Sequence, residues 1–423
     1  MQCSVKASKL AGHLEIPSSK SHTMRAILFA SLAHGESIIR DYLPSPDTTA
    51  MINACLAFGA EMEVLPRALK ITGVGGKPQF QYLEIDVGNS GQVFRFLAAI
   101  ACLDSSPVQI DGDDSIRNLR PITPLLNALR QLGAKVSQAP MQQAPIYLQG
   151  PLHGGTVVLD GKDSQPVSAL LMACAFLDEP TDIKVNHPGE TPWIDLTLDW
   201  LKRLNIGFDC INYSHYRIHG KAIIKAFNYQ VPGDFSSLAF PLLAGVITQS
   251  RLTFTNIDIN DIQGDKKIIH LLQDMGIKIT LYPDKRMLEL MPSLSFSGFD
   301  YDMNQMIDAL PILAVFACFA STSSRLYNAT IARAKESDRL AAITKGLRLM
   351  GAKIDEEQDA LVIHPSQLLG AVVDSQHDHR IAMALVVAGL GAAGETVIQN
   401  SACIQKSYPN FVASFQQIGA CLE

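Results

Sequence analysis

A chain of 423 residues with 47% hydrophobic and 18% charged residues is long enough for two or three packed domains and too apolar to be disordered. Its net charge of −6 excludes nucleic acid or an anionic membrane as the main partner, so any cationic chemistry has to be local. No apolar run reaches the roughly 20 residues that span a bilayer, and the opening MQCSVKASKL lacks the basic-then-apolar pattern of a secretory signal. The eight Cys are scattered singly without a CxxC, which points to neither a zinc site nor a disulfide framework. Cys102, Cys174 and Cys318 stand inside apolar runs and read as reduced core thiols. A cytoplasmic protein is expected.

The first informative stretch is Ile16–Gly35, IPSSKSHTMRAILFASLAHG. A polar loop, Ser18-Ser19-Lys20-Ser21, precedes an apolar helical run from Met24 to Leu32, and Gly35 stops it. Hydroxyls before such a run are N-cap material, and a helix N-terminus offers N–H groups and positive dipole to an anion. The cassette recurs. Polar clusters open Ala/Leu-rich runs at Ser18, Gly88, Lys162, Gly233, Met303 and His377, about 70 residues apart, the signature of an internal repeat. Strand-like segments follow at Ser37–Arg40, Pro107–Asp111, Asp182–Val185, Arg251–Thr255, Ser324–Asn328 and Thr396–Asn400. A second helix then closes each unit, and just past it stand Gly59, Gly133, Asn205, Gly276, Gly351 and Gly419. Gly and Asn are the residues that tolerate the left-handed C′ position, so these mark six helix ends. A strand should follow every closing except the last, where the chain stops at Glu423. The strand-like segment Cys3–Ile16 has no unit of its own and should complete the sixth, which places both termini in one domain. Two three-unit domains are therefore expected: residues 17–232, and residues 1–16 plus 233–423. A six-unit solenoid fits less well, since it needs polar capping repeats.

Ionic residues gather at the unit openings. The first half supplies Lys20, Arg25, Asn89, Arg95, Arg120, Ser164 and Gln165. The second supplies Asp308, the run Lys335-Glu336-Ser337-Asp338-Arg339, Arg380 and Lys406. Helix mouths converging on a cleft between two domains would attract a multiply charged anion, such as a phosphate plus a carboxylate. Arg forks give bidentate contacts and Lys a point charge, while Asp308 and Glu336 among these bases are placed for proton transfer. Arg95, a turn and a half into its helix, reads as a structural residue bonding nearby carbonyls. His377-Asp378-His379 does not read as a metal site, because neighbours at i and i+2 on a helix N-terminus point apart.

At these residues the sequence resembles the EPSP synthase family, the 3-phosphoshikimate 1-carboxyvinyltransferases. The motifs PSSKSHTMR, GNSGQVFRFLAA, IRNLRPITPLL, DSQPVSALLM, PGDFSSLAF, DMNQMIDALPILA, AKESDRL, DHRIAMAL and KSYPNF occur in the family's order along the whole chain. The resemblance implies an α/β (α+β) fold of two similar domains, each of three βαβαββ-like units in an inside-out barrel, closing over the substrates. It implies transfer of the enolpyruvyl group of phosphoenolpyruvate to the 5-hydroxyl of shikimate 3-phosphate with release of phosphate, in the shikimate pathway to chorismate and the aromatic amino acids. No cofactor and no metal are implied, and a monomer with small-molecule partners only is expected. By resemblance, Lys20, Asn89, Gly91, Arg120, Gln165, Arg339, Arg380 and Lys406 surround phosphoenolpyruvate. Lys20, Ser21, Arg25, Asp163, Ser164, Gln165, Asp308 and Lys335 hold shikimate 3-phosphate. Asp308 takes the proton of the attacking hydroxyl, and Glu336 with Lys20 serves the methylene carbon.

Several positions depart from the family pattern. Asp163 stands where a second Ser is usual before Ser164-Gln165, and Glu190-Thr191 where a Ser usually precedes Pro192-Trp193. Ile331 replaces an Asn, and Gln92 and Phe96 replace Thr and Pro. The changes bear on the substrate phosphate and on sensitivity to the inhibitor glyphosate. They leave the phosphoenolpyruvate side and the acid pair unaltered. Two other functions fit less well. A UDP-N-acetylglucosamine enolpyruvyl transferase would open with Lys-Asn, not Lys20-Ser21, and would carry a Cys in the loop Gly112–Pro121, which has none. A non-catalytic anion-binding relative would explain Asp163 and Glu190, but not the retained acids and bases.

Overall fold

The computed structural model describes residues 1–293 and 295–423. The chain divides into two compact units, Lys20–Val231 and Met1–Ser19 with Pro232–Glu423. Among the described residues each unit contains three four-stranded mixed sheets. One repeat shows how the sequence builds them. Asp300–Asp302 leads through the apolar helix Leu310–Cys318 to the parallel strand Ser324–Tyr327, and the closing helix Arg339–Leu349 then leads to the hairpin of Lys353–Glu356 and Leu361–His364. The six sequence-predicted strands all form, as His34–Arg40, Val108–Asp111, Thr181–Asn186, Arg251–Thr255, Ser324–Tyr327 and Glu395–Gln399.

Two classes of helix follow from two sequence patterns. The opening helices, such as Phe235–Ile247 and His379–Gly391, are apolar on every side and buried almost end to end. In the second unit Leu310–Cys318 packs against both of them. A helix apolar all round has to sit inside, and each fully buried Leu, Ile or Phe there contributes roughly 1.5–3 kcal/mol. The closing helices are one-sided: Thr123–Gln131 buries Leu125, Leu126, Ala128 and Leu129 and leaves its other face to solvent. Each closing helix ends as its C′ residue demands. Gly59, Gly133, Gly276, Gly351 and Gly419 have φ between 82° and 99°, and Asn205 has 54°.

The chain ends behave differently from the simplest repeat arithmetic. The segment expected as one strand over Cys3–Ile16 forms two. Gln2–Lys6 completes the sixth repeat's sheet, pairing antiparallel with Glu395–Gln399. Ala11–Glu15 instead runs parallel to Arg251–Thr255 in the fourth repeat's sheet. The last closing is also followed by a strand, the two-residue Cys421–Leu422, which pairs with Gln2–Lys6. The strand before the fourth repeat, Asn228–Gln230, pairs in turn with His34–Arg40 of the first. The two passages between units are bonded to each other: Ser19 N–H donates to Pro232 O at 2.8 Å and Asp234 N–H to Pro17 O at 2.8 Å. Gly233 is required there, because a Cβ would lie 2.0 Å from Asn256 O.

Candidate functional site

In the unit Lys20–Val231 the unit openings hold a set of buried cations. Lys20, at the first turn of the helix Lys20–Leu32, pairs with Asp47 at 3.1 Å. Arg25, one turn on, is 2% exposed. Its guanidinium donates to Thr197 Oγ1 at 3.0 and 2.8 Å and to the carbonyls of Ser21 and Trp193 at 3.2 and 3.3 Å. Burial pulls its pKa down to about 9. The loop Gly88–Ser90 ends on Ser90, the N-cap of the helix that follows, whose Oγ accepts from Val93 N–H. Gly91 opens the next helix, where a Cβ would come within 2.9 Å of Arg95 Nη1 and 3.4 Å of Arg120 Nη1. Only glycine leaves the two guanidinium groups this close to the backbone. Arg95 does bond carbonyls, those of Gly91 and Pro121 at 3.1 and 2.9 Å, and it also reaches Gln165 Oε1 at 3.2 Å.

The two unusual acids have definite partners. Asp163 caps the helix Ser164–Cys174 by accepting from Gln165 N–H at 2.9 Å, and it pairs with Arg95 at 3.2 Å. Glu190 is buried in a left-handed conformation, φ 47°. Its Oε2 accepts from Ser164 N–H at 3.0 Å and from Ser164 Oγ at 3.1 Å.

In the other unit one side chain organises the charges. Arg339, 1% exposed, donates through Nε to Asp378 at 2.8 Å, through Nη1 to Asp308 at 2.8 Å and through Nη2 to Glu336 at 2.7 Å. Its donors are spread over three nitrogens of a planar fork, so each of three diverging carboxylates meets its own N–H, whereas a Lys ammonium would offer all of its donors from one nitrogen. Arg380 binds the second oxygen of Asp308 at 2.9 Å and Ser236 Oγ at 3.0 Å. Lys406 binds the other oxygen of Glu336 at 3.0 Å. Burial raises the pKa of Asp308, but Arg380, Arg339 and Lys335 outweigh it and hold the group well below the usual carboxylate range. Asp265 shows the opposite outcome nearby. Burial and the charge of Asp308 push it up to about 8, against the pull of Arg380.

The helix mouths differ from the expectation in one respect. Asp163, Asp234 and Asp378 each accept from a first-turn N–H group of their helix. The chain's own carboxylates thus take part of the dipole, and the Arg and Lys side chains carry the positive charge. Glu336, Asp378 and His379 present ligand atoms within 4.8 Å of one another. Both carboxylates already bind Arg339, and Glu336 also binds Lys406, so a metal ion there would face two fixed cations.

A sequence model of the family "EPSP synthase (3-phosphoshikimate 1-carboxyvinyltransferase)" matches residues 5–415. The chain belongs to the EPSP synthase family. It is 45% identical over 422 residues to the 3-phosphoshikimate 1-carboxyvinyltransferase of Chlamydia pneumoniae, covering 99% of this chain and 94% of that one. The corresponding protein of Chlamydia muridarum is 45% identical over 414 residues, with coverage of 97% and 92%. Among solved structures, an EPSP synthase from Acinetobacter baumannii superposes with a TM-score of 0.84 at 25% identity, covering 100% of this chain and 99% of that one. The fold is thus the two-domain inside-out α/β fold of EPSP synthases. Among the described residues no helix is long and apolar enough to cross a membrane.

Three partners of the family residues have no clear signal in the sequence. Asp47 shows only as an acid in the first turn of a Pro-initiated helix, Pro46–Ala57. Asp378 sits in the DHR motif as an N-cap, and nothing local announces Arg339 as its partner 39 residues away. The bond of Glu190 to Ser164 joins positions 26 apart, and its only local sign is a departure from the family pattern.

Proposed function

We propose that this member of the EPSP synthase family joins the enolpyruvyl group of phosphoenolpyruvate to the 5-hydroxyl of shikimate 3-phosphate, releasing phosphate. The observation that carries the reading is the Arg339 hub, which gathers Asp308 and Glu336 inside one cationic cluster. The phosphate and carboxylate of phosphoenolpyruvate are assigned to Lys20, Asn89, Gly91, Arg120, Gln165, Arg339, Arg380 and Lys406. Shikimate 3-phosphate is assigned to Lys20, Ser21, Ser164, Gln165 and Lys335, with Arg25 steadying Ser21 through its carbonyl and Asp163 bordering the site on Arg95.

Asp308 takes the proton of the 5-hydroxyl as its oxygen attacks C2 of phosphoenolpyruvate. Glu336, protonated through the Lys20 ammonium, passes that proton to C3, giving a tetrahedral intermediate. Loss of a C3 proton and of the C2 phosphate then yields the enol ether. A carboxylate clamped by two guanidinium groups is a weak base. Substrate anions drawing on Arg339 and Arg380 would loosen that clamp and raise the basicity of Asp308 when both substrates are present. Positioning and fixed positive charge supply the rest, since the two substrates repel each other. A cytoplasmic monomer belongs to the same reading, and sedimentation of the purified protein checks its oligomeric part.

The test is phosphate release from phosphoenolpyruvate by purified protein. Release should require shikimate 3-phosphate, and Asp308→Ala should lower the rate by roughly 10²–10⁴-fold. Release with UDP-N-acetylglucosamine instead, or no release with either acceptor, overturns the reading.

A further inference from the structure

The Ser164 seat at the mouth of the helix Ser164–Cys174 is filled by the protein itself. Ser164 offers an N–H and an O–H, and both go to one oxygen, Oε2 of Glu190. Glu190 precedes the helix Thr191–Arg203 as its N-cap residue, yet its carboxylate makes no cap bond to that helix. It crosses to the neighbouring one instead. Its backbone is in the left-handed region, φ 47°, an uncommon and costly conformation for a residue with a Cβ. The loop is fixed against the segment before Ser164: Gly189 N–H donates to Gly161 O at 2.9 Å, and a Cβ on Gly189 would meet Lys162 O at 2.7 Å. Side-chain torsions of Glu190, not movement of the loop, are therefore the way its carboxylate can leave.

Ser164 is assigned, under the proposed function, to the phosphate group of shikimate 3-phosphate, and the role of Glu190 rests on that assignment. One N–H and one O–H cannot serve two anions, and a buried carboxylate beside a phosphate repels it. We infer that Glu190 is an internal competitor for the phosphorylated substrate: its carboxylate must release Ser164 before the substrate phosphate can take the seat. Glu190 thereby sets the affinity for shikimate 3-phosphate without taking part in the chemistry. The affinity for phosphoenolpyruvate, assigned to other residues, is untouched by it.

The experiment measures phosphate release by wild type, Glu190→Ser and Glu190→Gln, varying each substrate in turn. Glu190→Ser should lower KM for shikimate 3-phosphate by roughly tenfold or more, the equivalent of one charge-assisted hydrogen bond no longer displaced. Its kcat and its KM for phosphoenolpyruvate should stay within about twofold of wild type. Glu190→Gln keeps the shape and an acceptor oxygen but removes the charge, so its KM should fall between the two. It carries the same test if the Ser variant does not fold. A KM for shikimate 3-phosphate that is unchanged or higher in both variants overturns the inference while leaving the proposed function standing. No release by the wild type overturns the proposed function and the inference with it.

Discussion

Replacing Arg339 with Met tests how far one guanidinium holds the second unit together. The side chain is 1% exposed and bonds Asp378, Asp308 and Glu336 at 2.7–2.8 Å. Without it Asp308 keeps Arg380 and Glu336 keeps Lys406. Asp378, which is fully buried, keeps the neutral donors Ser337 Oγ and Arg380 N–H, with His379 at 3.7 Å. The loss should thus fall mainly on Asp378. Removing one partner of a buried pair costs about 3–5 kcal/mol, and urea unfolding of Arg339→Met should show a loss of that size. Asp378→Asn in the Arg339→Met background should recover part of it, because the stranded charge is gone, giving a coupling energy of roughly 1–3 kcal/mol in a double-mutant cycle. A loss below about 1 kcal/mol, or strictly additive losses, would refute the view of Arg339 as the shared counter-ion.

The remaining predictions concern titration, helix ends and a buried bond. Asp265 has its pKa raised to about 8 by burial, Asp308 and Asp234 against the pull of Arg380, and its charge in turn raises the pKa of Tyr301. The folded state therefore holds a proton between about pH 4 and 8 that the unfolded chain has released, so this group makes stability fall as pH rises through that window. Asp265→Asn should be more stable than wild type at pH 8 and nearly equal to it at pH 4, read from melting temperatures across the range. Gly276 has φ 82° and faces open space, with no atom within 4 Å of where a Cβ would stand, so Gly276→Ala should cost about 1–2 kcal/mol from backbone strain alone. Asn205→Gly, at the equivalent helix end, should be neutral or slightly stabilising by the same denaturation measurement. Thr197→Val removes the acceptor of two Arg25 donors and a donor to Ser168 Oγ; a loss of roughly 1.5–3 kcal/mol is expected for this buried charged partner.

The parts of the fold that were legible in the sequence are those set by neighbouring residues. Six Gly or Asn positions ended six helices because a left-handed C′ residue is a local steric demand, indifferent to what lies across the core. The apolar character of the runs at Ala26–Leu32 and Ile381–Leu390 marked helices that bury every face. The candidate cations were legible for a related reason: charges placed at the start of apolar helices have few other uses.

What the tertiary structure alone decided is which distant residues meet. Ala11–Glu15 joins the fourth repeat's sheet and Asn228–Gln230 the first's, a choice made by sheet edges that exist only once the repeats have folded. Arg339 with its three carboxylates, Lys20 with Asp47, and Glu190 with Ser164 depend on separations of up to 39 residues and on the direction of single side chains. Spacing along the chain brought the charges to the same helix mouths. Burial then required every one of them to find a specific partner, because an uncompensated charge in that interior costs more than the fold can bear.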